Sequence, residues 1–183
     1  MNPEQWLARL TAAEEIRQLV ARYAVYVDAR DIDSLAALYV PDVRISSKLS
    51  GRDALRQLFD ESLRAVGLTI LNVGTHQIDF DDADPSSATG IVYCRAEIQD
   101  GGVDSDRWIV HAIQYHDTYK RVDGRWYFGA NRKHLLVYGA DIGESPLGLP
   151  PANWPENQTG IGSVPHSLDT WQKFWGIKPT PDS

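Results

Sequence analysis

The sequence predicts an α+β domain, with helices first and an antiparallel sheet after them. Three observations predict it. Up to residue 65, apolar side chains recur at three- and four-residue spacing. From residue 68 the period changes to two. Two turn signals, Asp100-Gly-Gly102 and Val122-Asp-Gly124, then punctuate the second half. Helices followed by a run of strands describe a layer of helices packed against a curved sheet.

The first helix is predicted over 4–27, where Ile16, Leu19, Val20, Tyr23, Ala24 and Val27 make one apolar face. Asp31 is the N-cap of a second helix carrying Leu35, Leu38 and Tyr39, which Pro41 ends. A short strand is predicted at 43–45, then a third helix over 52–65 with Leu55, Leu58, Phe59 and Leu63 on its buried side. Strands are predicted at 69–80, 87–99, 107–121 and 125–137. The aspartates Asp79, Asp81, Asp82 and Asp84 run into Pro-Ser-Ser and read as a solvated turn, not a metal site.

The tail changes character. From Gly139 it is rich in Gly and Pro, yet it holds Leu147, Leu149, Trp154, Trp171, Phe174 and Trp175. So many aromatics predict an ordered arm that covers the sheet, a pocket mouth or a neighbouring subunit. A last helix is expected near 166–175, packed through Leu168, Trp171 and Trp175. The division is therefore residues 1–138 as the main unit and 139–183 as a C-terminal extension of the same domain.

Composition limits the function. The chain has 183 residues, 43% of them hydrophobic, enough for one domain with a sizeable core. Its net charge of −7 argues against a nucleic-acid or anionic-membrane surface. No apolar run reaches membrane-spanning length, and no signal peptide is read at the start, so a cytoplasmic protein is expected. The single Cys94 excludes an intrachain disulfide and a cysteine zinc knuckle.

Strand alternation then sorts the polar side chains. His76 shares a face with Ile78 and Phe80, and Cys94 with Val92 and Ala96. His111 shares one with Ile113, Tyr115 and Tyr119, while Trp126, Phe128, Arg132 and His134 share another. An inward arginine or histidine needs a partner. Asp28 and Tyr23, on the covering helix, are available. Asp28 with His76 would make a carboxylate–imidazole dyad, a base held in one tautomer. The plainer reading is that such a histidine is a satisfied core residue, and such an arginine half of a structural ion pair. His111 and His134 lack the further ligands a zinc site wants.

The helix ending Tyr-x-x-x-x-Asp28, the Asp-x-Asp-Ser-Leu-x-x-Leu-Tyr39 segment, Gly-Thr-His76 and the Val-Asp-Gly-Arg-Trp-Tyr-Phe128 hairpin resemble the SnoaL-like branch of the NTF2-like superfamily over about residues 5–138. The resemblance implies a cone, a strongly curved antiparallel sheet around a helix, with one deep pocket. A narrower likeness is to its lyases: scytalone dehydratase, bile-acid 7α-dehydratase and hexachlorocyclohexane dehydrochlorinase. It implies catalytic roles for Asp28, His76, Arg132 and Tyr23, with His76 removing a proton and Asp28 orienting it. Phe80, Cys94, His111, Tyr115, Trp126 and His134 would line the substrate pocket. The tyrosine pair of the first enzyme and the tryptophan of the third are missing near Val27 and Ile45, so another substrate is expected.

The implied activity is cofactor-independent β-elimination from a small hydrophobic cyclic or aromatic molecule, with no metal. Retro-aldol cleavage or isomerisation would use the same base. A non-catalytic binding module, such as a dioxygenase small subunit, would share the fold. An epoxide hydrolase would need a second inward aspartate, for which Asp117 is the nearest candidate. A homo-oligomer is expected, a trimer first and a dimer second, through an outer face that includes Trp108, Val110 and Ala112.

Overall fold

The structure, a computed structural model, describes residues 2–148 and 164–177. Helix α1 spans Pro3–Asp28. Asn2 caps it by accepting from the Gln5 amide, and Gln5 reaches back to the Asn2 amide, so two orphan donors are satisfied reciprocally. Its buried stripe is Ala12, Ile16, Leu19, Val20, Ala24 and Val27, the face expected from the spacing. Helix α2 (Ile32–Ala37) starts at Asp31, whose carboxylate accepts from Ser34 N at 3.1 Å. Helix α3 (Arg52–Arg64) buries Leu55 and packs Phe59 and Leu63 against the core, but Leu58 is exposed because it lies off that one-in-four row.

The strand expected at 43–45 does not form. Arg44 makes an isolated bridge to Ser50, and the Ile45 and Ser46 amides both bond to Leu49 O. A tight local turn satisfies that backbone instead of a sheet.

Four strands make one antiparallel sheet in the order β1-β2-β3-β4: β1 Val66–Phe80, β2 Ser87–Asp100, β3 Arg107–Val122 and β4 Arg125–Glu144. The β3–β4 turn puts Asp123 and Gly124 at φ 49° and 80°, the two positive values that a twisted two-residue hairpin requires. The aspartates after β1 form the expected turn, with Asp81 accepting from the Ala83 and Asp84 amides. Register shifts at Val73/His76, Ala112/Ile113 and Asp117/Tyr119 bend the sheet around α1. No helix among the described residues is long and apolar enough to cross a membrane.

Strand β4 runs seven residues beyond the expected end at 137, so the boundary drawn at 138/139 falls inside it. The last helix, α4, is Asp169–Trp175. Trp171 and Phe174 are its buried side chains, while Leu168, expected to pack, is 37% exposed. Trp171 closes a small core with Leu68 and Trp108, and Trp175 packs against it. Trp108 and Val110, expected on a face left for another subunit, are thus buried within this chain. Leu149 and Trp154 lie outside the described residues.

The main core lies between α1 and the concave face. Phe128 is at its centre, fully buried and in ring contact with Tyr23, Tyr39 and Tyr119. Its backbone pairs with Leu38 O and Val40 N, which ties the end of α2 to β4. Phe128→Ala is expected to cost about 3–5 kcal/mol of stability. Urea unfolding checks it: the midpoint falls with the slope unchanged.

Candidate active site

α1 runs antiparallel to β1, and this sets which polar residues meet. Asp28, at the helix C-terminus, faces the start of the strand. Its Oδ1 accepts from the Thr69 hydroxyl at 2.9 Å and its Oδ2 from the Leu71 amide at 3.0 Å. Nearer the helix N-terminus, Arg17 influences His76 and Arg9 stacks on Phe80. The expected Asp28–His76 dyad therefore does not form. Moving from Leu71 to His76 along the strand means moving back from Asp28 towards Arg17 along the helix, about 16 Å of helical rise. Spacing along the chain could not show this, because helix and strand diverge in opposite directions.

His76 has another partner. Its Nε2 lies 3.1 Å from the Tyr119 hydroxyl, which donates at 3.1 Å to Asp117 Oδ2. A phenol that gives its proton to a buried carboxylate can only accept from the ring. His76 is thus the Nε2–H tautomer, with no partner at Nδ1 among the described residues. Burial, aided by Arg17, lowers its pKa to about 4, so it is neutral at pH 7.

Asp117 continues this line. Its Oδ1 accepts from Arg132 Nε at 2.8 Å, and its side chain is wholly inaccessible. Arg132 Nη1 donates to the Tyr39 hydroxyl at 3.1 Å. The guanidinium is caged by the rings of Tyr23, Tyr115 and Phe128, at 3.8, 4.2 and 4.7 Å from their centroids. Burial opposes its charge, but Tyr39, Tyr23 and Asp117 hold its pKa well above the usual range. Its Nη2 is buried with no partner among the described residues. Period two places Asp117 beside Tyr115 and Tyr119, and it is the second inward aspartate for which the sequence made it the nearest candidate. Both its oxygens are occupied, so it orients Arg132 and cannot activate a water.

Asp28 stands apart from this network. Burial raises its pKa from 3.8 to about 6, against the lowering effects of the Leu71 and Thr69 hydrogen bonds and of Arg30. Its charge and that of Arg132 both reach Cys94, whose thiol burial pushes up to about 11. Arg132 and His111 both influence His134, and the His134 ring lies against Tyr115. The His111 ring faces Gly139 on β4. The fold thus links Tyr23, Asp28, Cys94, His111, Tyr115, Arg132 and His134.

It does not bring Phe80 and Trp126 there. They meet edge to face and line a separate cavity of about 340 Å³ with Arg9 and Arg121. Arg30, which backs the Thr69 hydroxyl that donates to Asp28, carried no periodic signal, since it lies in a turn. Among the described residues, no three His, Cys, Asp or Glu side chains come together as a metal site.

A model of the SnoaL-like domain matches residues 8–132. Solved structures share the fold. A scytalone dehydratase candidate from Novosphingobium aromaticivorans DSM 12444 is 22% identical with a TM-score of 0.62, the alignment covering 79% of this chain and 98% of that one. A type 2 hexachlorocyclohexane dehydrochlorinase, LinA, is 22% identical with a TM-score of 0.65, covering 78% and 99%. The type 3 LinA from Novosphingobium barchaimii LL02 is 20% identical with a TM-score of 0.66, covering 79% and 99%. No curated protein matches. At these identities the likeness is one of fold.

Two predictions follow from the charges. Asp117→Ala strands a buried guanidinium and is expected to cost about 3–5 kcal/mol, most of it recovered when Asp117→Leu is combined with Arg132→Met. Denaturant unfolding of the single and double variants measures both. The second concerns pH. Between 3.8 and about 6 folded Asp28 keeps a proton that the unfolded chain has lost. Stability from this group is therefore greatest below 3.8 and falls as pH rises, by at most on the order of 3 kcal/mol. His76, at about 4 folded against 6.5 unfolded, has the opposite slope: its contribution is full above 6.5 and is lost as pH falls through 4. Asp28→Asn removes only the first slope. Its stability relative to wild type is expected to climb between pH 4 and 6; a constant difference would mean an ordinary carboxyl.

Proposed function

The chain belongs to the SnoaL-like domain family, and we propose that it is a cofactor-independent lyase that eliminates a small group from a hydrophobic cyclic or aromatic substrate. One observation carries this reading: a carboxylate held near pKa 6, Asp28, whose charge reaches Cys94 together with that of a caged cation, Arg132, with an N–H that no described residue uses. Asp28 replaces His76 as the base.

At neutral pH Asp28 is mostly ionised, yet basic enough to accept a proton from an acidified carbon. The C–H electrons form the alkene and the C–X bond breaks. The departing hydroxide or halide is stabilised by the Arg132 cation through Nη2, the donor that no described residue uses. Asp28 then releases its proton to water. Tyr23 and Tyr115 face Arg132, Leu71 adjoins Asp28, and Cys94 feels both charges, an apolar and aromatic surround that suits a ring-bearing substrate.

The dehydratase and dehydrochlorinase names of the similar structures support elimination. A double-bond isomerase would use the same carboxylate but expels nothing, and the Arg132 donor that no described residue uses favours a departing group. A purely structural subunit has no need of a buried carboxylate at this pKa.

The test is a panel of cyclic and aryl β-hydroxy and β-halo compounds, followed by alkene absorbance and halide release. The value of kcat/KM is expected to rise through about pH 6 and then level off. Asp28→Asn is expected to lose about 10²–10⁴-fold with the fold intact. Wild-type turnover by this variant would remove Asp28 as the base.

A further inference from the structure

Asp28 is held by a chain of contacts that leads out of the site to the C-terminal helix. Thr69, which donates to Asp28 Oδ1, accepts from Arg30 Nη1 at 2.8 Å. Arg30 Nη1 also reaches Val27 O at 2.5 Å, and Nη2 donates to Gly67 O. One guanidinium therefore joins the end of α1 to the start of β1, on either side of the Asp28 carboxylate. Arg30 is 2% exposed.

Its backbone is unusual. Arg30 directly follows the Ala29 C-cap and sits at φ 55°, the left-handed position that glycine takes most readily. A residue with a Cβ strains the backbone there by roughly 1–3 kcal/mol. The side chain must compensate, and its three backbone and hydroxyl acceptors show how.

The outer face of the same guanidinium is covered by α4. Its Cζ lies 4.9 Å from the Trp171 ring centroid, and Trp171 is 1% exposed. One residue earlier, the Thr170 hydroxyl donates to Ala29 O at 2.7 Å. Arg64 stacks on Phe174 at 4.3 Å, fixing the next turn of α4 to α3. The helix thus binds the two residues that follow Asp28 by one hydrogen bond and one stacked cation. Other parts of the small core, Leu68 and Trp108, only need an apolar cover, which a leucine at 171 would also supply.

We propose that Arg30 is the positioning residue for Asp28, and that Trp171 and Thr170 of α4 hold it in place, so that docking of the C-terminal helix completes the site. This rests on the reading of Asp28 as the base, but its test does not.

The experiment is a carbon-13 NMR titration of side-chain carboxyls in the full chain, with Asp28→Asn assigning the resonance. Arg30 and the Thr69 hydroxyl both lower the Asp28 midpoint, so loosening them raises it. Trp171→Leu is expected to move the midpoint up by about half a unit or more, Trp171→Phe by less, and Thr170→Val in the same direction. The rise of kcat/KM with pH is expected to follow the same displacement. A merely structural role for α4 would lower the melting temperature and leave the midpoint where it is; that result overturns the proposal. So does a downward move, which would mean that the helix shields Asp28 from water without holding Arg30. If Trp171→Leu does not fold, Trp171→Phe and Thr170→Val decide the question on the same criterion. An active Asp28→Asn variant, together with a displaced Asp28 midpoint in the Trp171 and Thr170 variants, would remove the base and keep the latch. An inactive Asp28→Asn variant, together with an unmoved midpoint in the α4 variants, would do the reverse.

Discussion

The buried ion pair between Arg132 and Asp117 is the constraint on which the rest of this molecule depends. A guanidinium facing the inside of a small sheet is unfavourable by itself. Here it is accommodated by one carboxylate, one phenol and three aromatic faces. Those partners come from α1, β3, β4 and the segment after α2, so the elements must converge correctly for the charge to be satisfied. Tyr119 and His76 extend the arrangement to β1. The aromatic core packs around a cation.

Much of the fold was legible in residue spacing. The change of period from about four to two near residue 68, the Asp31 cap and the Asp-Gly turn at 123–124 each have a direct physical cause in the observed elements. Local patterns failed where tertiary contacts decide. Segment 43–45 has strand-like residues but closes on itself through Leu49. β4 continues past residue 137 because β3 offers it partners as far as Arg107. Trp108 looked like an outer-face residue because nothing in a strand pattern shows that a helix some sixty residues later returns to cover it.

The site was legible in part. Alternation placed Arg132, Tyr115 and Cys94 inward, and the last turn of α1 placed Asp28 near them. What it could not give is the level of each residue along the cone. His76 and Asp28 both face inward, but helix and strand run in opposite senses, so the two sit at different levels, Asp28 against Leu71 and His76 against Tyr119. The same geometry puts Phe80 and Trp126 at the other end of α1. Arg30 was not visible at all, since an arginine in a turn usually belongs to solvent, and only a positive φ with a buried guanidinium marks it as structural.

Because one cation ties several elements together, the molecule has unequal freedom to change. Substitutions in the chain from Tyr39 through Arg132 and Asp117 to Tyr119 disturb several elements at once. Leu71, Val73, Cys94 and Ile113 contribute apolar surface without entering that chain of hydrogen bonds. Volume can be exchanged among them at modest cost. Side-chain volume can therefore drift at these four positions while the Arg132 charge stays fixed by folding itself. In this architecture the placement of the charge is enforced by stability, and the apolar surface around it is left open to variation.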